Sequence, residues 1–473
     1  MATAVSAAPD APLMTMSTYR APRQYGRPGA ATGTFEAATG ALDAFVTEVF
    51  GPLPRADQRK WARAYTQGLL ITPGRKTVRA LAAAVSESST ASQALHQFVN
   101  ASPWDWEPVR AGLARWVARR ARSHALLISA AVLPKRGDRS CGVHRRFDPQ
   151  ARRTVNCQVG IGAFLAAGEA TVPVDWRLLL PGEWTADPRV RSRARIPGTT
   201  PGAQDSPCDQ ALSLVDDLDR ALADSPDGPH GPHGPHGPHG PHGPDAPPVV
   251  ADLTGIADPA RLIRGLTARQ RQFVVAVPGD LPVLPDPAVS VGSVPHPRTA
   301  IAVSARHLIA RRHARQPHTP VVTGTVRLPG IPGAFRLLAQ WPSAEPGSGR
   351  IWLTDLVDTP PREALALARL HPTAADTLKL LEDDLGLRDF EGRSYPGWHH
   401  HMTLVSAAFA YGALGPAALF GSARASRAVR ASRAPGQAAE PPLRRARPVP
   451  HPVPRPAPRP VRNTLTPTRT GRS

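Results

Sequence analysis

Apolar positions along this chain fall into two textures that change near residue 122. From 45 to 122 they recur at helical spacing. Examples are Leu69 and Leu70 before a turn, Val78-Arg79-Ala80-Leu81, the pair Leu95 and Phe98, and the stretch 109–117. This predicts a helical N-terminal region over 41–122, with Arg, Lys and Trp spread over its faces. Short apolar runs then predict strands at 124–128, 155–165 and 170–180, the last two joined through Ala167-Gly168. Further strands are predicted at 248–252, 272–277, 321–328, 335–340 and 350–356. Helical spacing places helices at 210–222, 259–266, 362–370, 374–385 and 401–414. Adjacent strands followed by strand–helix alternation describe an α/β fold on a mixed sheet.

The flanks are of another kind. Residues 1–40 are rich in Ala, Pro and Gly and read as a disordered leader, with Met16 a second candidate start. Residues 422–473 hold twelve arginines against one acid, Glu440, and few aromatics. Such a segment buries too little apolar surface to offset its ordering entropy, so a disordered basic tail is expected. It supplies about half of the formal charge of +20 on the 473 residues. That excess suggests a polyanionic partner, although GC-rich codon usage is a second source of arginine. Within the 225–247 insertion, five Gly-Pro-His triplets at 228–242 could bind Ni²⁺ or Zn²⁺, but read first as a repeat expansion in an exposed loop.

Three cysteines, Cys141, Cys157 and Cys208, lack CxxC spacing and fit a reducing compartment rather than a disulfide scaffold or zinc site. No secretory leader is legible, and Tyr411, Gly412, Gly415 and Pro416 interrupt the apolar run 404–420. A buried terminal helix, no membrane partner and a cytoplasmic, nucleoid-associated protein are expected.

Four blocks of residues carry the functional reading. The first is Leu133-Pro134-Lys135-Arg136-Gly137, then Ser140-Cys141-Gly142-Val143-His144-Arg145-Arg146-Phe147 and Asn156-Cys157-Gln158-Val159. The second is Leu180-Pro181-Gly182-Glu183-Trp184, with Asp187, Arg191 and Ile196-Pro197. Val249-Val250-Ala251-Asp252, Gly255 and Phe273-Val274-Val275-Ala276-Val277 form the third. The fourth is Leu385-Gly386-Leu387, Phe390-Glu391-Gly392-Arg393-Ser394-Tyr395 and Gly397-Trp398-His399-His400-His401. In order and spacing these blocks resemble the DDE-type transposases of bacterial insertion sequences. The resemblance implies a ribonuclease H-like domain over 123–421, preceded by a helical DNA-binding region. It also implies DNA as partner and leaves a homo-oligomer open.

In that family two Asp and one Glu hold two divalent metals, Mg²⁺ above all, about 4 Å apart for cleavage and transfer of DNA strands. Carried over, the middle Asp falls on Asp252, at the end of an apolar strand. The first Asp falls on Ser129 and the Glu on Ala375, so two of three acids are replaced. A lone Asp252 is expected to hold Mg²⁺ weakly. Pro372 suits only a first turn or a break, which predicts a later start than the family's for the helix carrying Ala375. The resemblance makes Lys135, Arg136, Arg145, Arg146 and Arg393 candidate DNA contacts. Trp398 and His399 to His401 are read as packing around the last helix.

These readings predict DNA binding with impaired catalysis, as a remnant, a repressor or a recruited DNA-binding protein. A rival is an active nuclease in which Asp138, Asp376 or Glu382 converges on Asp252. A second rival is a metal-handling protein working through the Gly-Pro-His run.

Overall fold

A computed structural model describes residues 31–148, 152–198, 206–223, 246–285, 301–316, 321–340 and 349–416. The Gly-Pro-His run, the basic tail and most of the leader lie outside the described residues. Every described residue belongs to one compact unit.

Five helices open the described chain: α1 (Ala31–Phe50), α2 (Ala56–Ile71), α3 (Val78–Val85), α4 (Ala91–Asn100) and α5 (Glu107–Arg120). Local signals set some of their ends. Thr77 caps α3 by accepting from the Ala80 amide, and α5 carries Pro108 in its first turn. Four strands follow: β1 (Ser123–Pro134), β2 (His144–Asp148), β3 (Arg153–Ala167) and β4 (Ala170–Leu178). After α6 (Gly182–Ala186), α7 (Pro188–Ala194) and α8 (Pro207–Ala223) come β5 (Val249–Asp252), α9 (Pro259–Ala268) and β6 (Phe273–Val277). A further stretch holds β7 (Pro282–Pro285), β8 (Val303–Ser304), α10 (Ala305–Arg315), β9 (Val321–Leu328) and β10 (Ile331–Gln340). The described chain closes with β11 (Ile351–Thr354), α11 (Pro361–Ala368), α12 (His371–Asp384) and α13 (Tyr395–Leu414).

The strands form one mixed sheet in the order β2-β3-β1-β5-β6-β11-β10-β9-β7-β8, with β4 also paired to β3. The β1–β3–β4 meander is antiparallel, and β5 and β6 extend it in parallel from β1. This is the ribonuclease H-like order expected from the motifs. β11 and β10 then continue the sheet antiparallel to β6.

Helix α13 is buried on every side, between α2, α4 and α5 and strand β4. It begins six residues before the expected 401. Ser394 caps it by accepting from the Gly397 amide at 3.2 Å, and Pro396 occupies the first turn. The histidine triplet hid this start, because its polar rings pack through partners distant in sequence. His400 stacks on Trp104 at 3.9 Å, and its Nδ1 and Nε2 face the carbonyls of Val99 and Trp104. His401 takes a hydrogen bond from the Tyr65 hydroxyl at 3.1 Å and donates through Nε2 to the Gly386 carbonyl at 3.2 Å.

Arg110 is the polar centre of this core, at 2% exposure. Its five N–H donors reach Thr403 Oγ1 at 2.7 Å, Asp175 Oδ1 and the Trp176 carbonyl at 2.8 Å, His399 Nδ1 at 3.1 Å and the His399 carbonyl at 3.0 Å. A buried guanidinium needs this saturation, since each unmet donor would forfeit its hydration. The triplet and Trp398 are therefore packing elements, as expected. Trp398 in turn requires glycine opposite it, because a Cβ on Gly160 would meet its ring at 3.0 Å.

Candidate active site

β5 is four residues long, fully buried, and ends at Asp252. The Asp252 carboxylate itself turns the chain, accepting from the Thr254 amide at 3.0 Å ahead of Gly255 at φ +74°. β1 runs beside β5 in parallel, with Leu126 opposite Val249 and Ser129 opposite Asp252. β1 does not stop at 128, as its apolar run suggested, but continues to Pro134. The antiparallel ladder with β3 holds this extension through Pro134 opposite Cys157. Ser129 thus occupies the last rung shared with β5, where the sheet opens beside Asp252.

Two further side chains enter from elsewhere. Arg350 immediately precedes β11, and its guanidinium makes an ion pair with Asp252 Oδ2, without hydrogen-bond alignment. The carboxylate of this pair is buried, while the Arg350 side chain is 58% exposed. His371 is the first residue of α12, which packs on β1, β4 and β5. Its Nδ1 lies 3.3 Å from Arg350 Nη1 and its Nε2 lies 3.5 Å from Ser129 Oγ. Burial lowers the His371 pKa, Asp252 opposes that shift and Arg350 adds to it. A guanidinium can only donate, so Nδ1 accepts and the neutral ring carries its proton on Nε2.

That tautomer decides what the cluster can do. Ser129, His371 and Asp252 are the residue types of a hydrolytic triad, but His371 Nε2–H points its proton at Ser129 and cannot take one from it. The third member facing Nδ1 is a cation rather than a carboxylate, the reverse of the polarity that activates a serine.

Divalent metal fits no better. Mg²⁺ prefers carboxylate oxygens. The donors here are one carboxylate against a guanidinium, one hydroxyl and one neutral imidazole. Among the described residues no group of three or more His, Cys, Asp or Glu is placed to hold a metal ion.

Ala375 lies one turn beyond His371, near the same stripe of α12, and is exposed. α12 begins at His371, three residues before the predicted 374, because Pro372 fits its first turn. Asp138 is exposed in the turn after β1. Asp376 is half-buried, which raises its pKa. Glu382 is paired with Arg388 at 2.8 Å.

The candidate DNA contacts separate. Lys135 donates to the carbonyls of Phe390 at 3.0 Å and Arg388 at 3.3 Å, and burial pushes its pKa down to about 8. Arg146 reaches the Gly255 carbonyl at 2.7 Å, tying β2 to the loop after Asp252. Arg136, Arg145 and Arg393 are exposed. Arg350 and His371 were not singled out in the sequence as site residues. Both stand at predicted element boundaries, the position from which strand and helix ends reach a site.

Residues 48–226 match the family model of the DDE superfamily endonucleases. The matched segment carries β1 with Ser129, and ends before Asp252, Arg350 and α12. No curated protein matches the chain. Among solved structures, the piggyBac transposase in a synaptic complex with hairpin DNA, seen by cryo-EM, is similar at 9% identity and a TM-score of 0.38. The similarity covers 84% of this chain and 76% of that one. No helix among the described residues is long and apolar enough to cross a membrane.

Proposed function

We propose that this chain is a DNA-binding protein of the DDE transposase lineage, of insertion-sequence type, in which DNA strand cleavage and transfer are impaired. In this reading Ser129 and Ala375 stand where two acids have been lost and Asp252 is the one that remains. The observation that carries it is the placement of Ser129 opposite Asp252, with the Arg350 guanidinium on the surviving carboxylate. Two-metal chemistry sets several carboxylates around two divalent ions. Here one negative charge meets one permanent positive charge, so the centre offers no net attraction to a divalent cation. The family match over residues 48–226 and the charge of +20 support DNA as the partner.

Two assays on the full chain test this. Binding of labelled duplex DNA, followed by fluorescence anisotropy, is expected to be present at low salt and to weaken steeply as salt rises. Nicking of supercoiled plasmid with Mg²⁺ or Mn²⁺ is expected at background, and to rise when Ser129→Asp and Ala375→Glu are combined with Arg350→Ala. Wild-type nicking that disappears in Asp252→Ala would overturn the impairment. Absence of DNA binding at low salt would overturn the reading as a whole.

A further inference from the structure

Phe147 is 59% exposed, one of two large apolar side chains so exposed among the described residues. It sits in β2, which pairs with β3 from His144 opposite Cys157, through Phe147 opposite Thr154, to Asp148 opposite Arg153. β1 stops pairing with β3 at Cys157. Residues 153–155 of β3 are therefore held by β2 alone, as a two-stranded ribbon reaching about 10 Å past the sheet. It projects from the end of the sheet at which Asp252 sits, because β1 runs parallel to β5 and continues beyond Ser129.

The two faces of this ribbon differ. Arg146, on one face, is tied to the Gly255 carbonyl at 2.7 Å and anchors the ribbon to the loop after Asp252. Arg145 and Phe147, two residues apart, share the other face, with Asn156 and Thr154 opposite them. Arg145, Phe147 and Thr154 are all exposed. The face is thus an aromatic ring set between cationic and hydrogen-bonding side chains. A single exposed ring is ordinary on a protein surface, but a guanidinium two residues along the same face matches phosphate beside an unstacked base.

We infer that the β2–β3 ribbon is a DNA-stacking finger in which Phe147 packs against an unpaired base and Arg145 engages the adjoining phosphate. The inference rests on the DNA-binding reading and gives it a substrate preference: duplex interrupted by unpaired bases over continuous duplex.

The test compares full-length wild type with Phe147→Ala, Phe147→Trp and Arg145→Ala by anisotropy. The probes are two labelled DNAs of equal length, one fully paired and one with a short run of unpaired bases. Wild type is expected to favour the interrupted DNA, and F147A to lose about 5- to 100-fold on it while binding the paired DNA unchanged. F147W is expected to keep the preference. R145A is expected to weaken both DNAs and to lower the salt slope by about one. A 2-aminopurine at the unpaired position reports stacking directly, with a fluorescence change in wild type that F147A abolishes. Equal wild-type affinity for both DNAs, or an F147A loss that is nil or the same on both, would overturn the finger. If the chain binds neither DNA, the DNA-binding reading falls with it; intact binding without a Phe147 effect removes the finger alone.

Discussion

Ser129 and Asp252 face one another across the last shared rung of the parallel β1–β5 ladder. One brings a hydroxyl and the other a carboxylate, and the Arg350 guanidinium closes on the carboxylate. The site holds its own cation, covalently attached, at the group best suited to bind a divalent one. Its capacity to hold a divalent ion is therefore limited by Arg350.

Removing that cation should change metal affinity before it changes activity. Arg350→Ala is expected to raise Mn²⁺ affinity about fivefold, since a charge pair with one half-solvated partner contributes on the order of 1 kcal/mol. Titration calorimetry with Mn²⁺ checks it, with Asp252→Ala in the same background abolishing the gain. Equal affinity in wild type and R350A would show that the guanidinium does not guard the carboxylate.

Arg110 carries a stability prediction. Its five hydrogen bonds join α5, β4 and α13, and its loss leaves the part-buried Asp175 without that partner. Arg110→Met should cost about 3–5 kcal/mol in urea denaturation, as for other broken buried pairs. Arg110→Lys should recover little, because an ammonium has three donors and no fork geometry.

Stability should also depend on pH through His401. Burial, with Lys135 adding to it, pushes its pKa from 6.5 down to about 4. The unfolded chain then binds the proton more readily than the folded one. This contribution is fully present above pH 6.5 and is lost as pH falls toward 4, by about 3 kcal/mol in all. Burial acts in the same direction on His399. His400 is more finely balanced, since burial pushes it down to about 4 while two carbonyls favour a proton on both its nitrogens. Urea midpoints at pH 5 and pH 7.5 should differ less in His401→Asn than in wild type. An unchanged difference would place the pH sensitivity elsewhere.

The basic tail should act through charge. Truncation after Gly421 removes twelve arginines and one acid. The slope of log affinity against log salt should become shallower, by about 0.9 for each phosphate the tail neutralises. A slope unaffected by truncation would assign the phosphate contacts to residues before 422.

By itself the sequence determined what depends on neighbours along the chain. The strand at Val321–Leu328 was legible to the residue, and the strands at 170–180, 248–252 and 272–277 nearly so. Buried strands are apolar runs cut by Gly, Pro or charge, and that signal is local. Asp252 was singled out through the family resemblance, and the run before it is the buried strand that it closes. β7, β8 and α10 were missed because proline and arginine dilute their apolar pattern. Only the tertiary structure decided that Ser129 and Asp252 share a rung, since strand register is set by pairing between segments more than a hundred residues apart. Only it brought Arg350 and His371 to that rung, and showed which partners satisfy the three histidines that the sequence had placed in packing. Convergence of side chains from separate elements leaves no periodic trace in a sequence, and at this site it decides which charges meet.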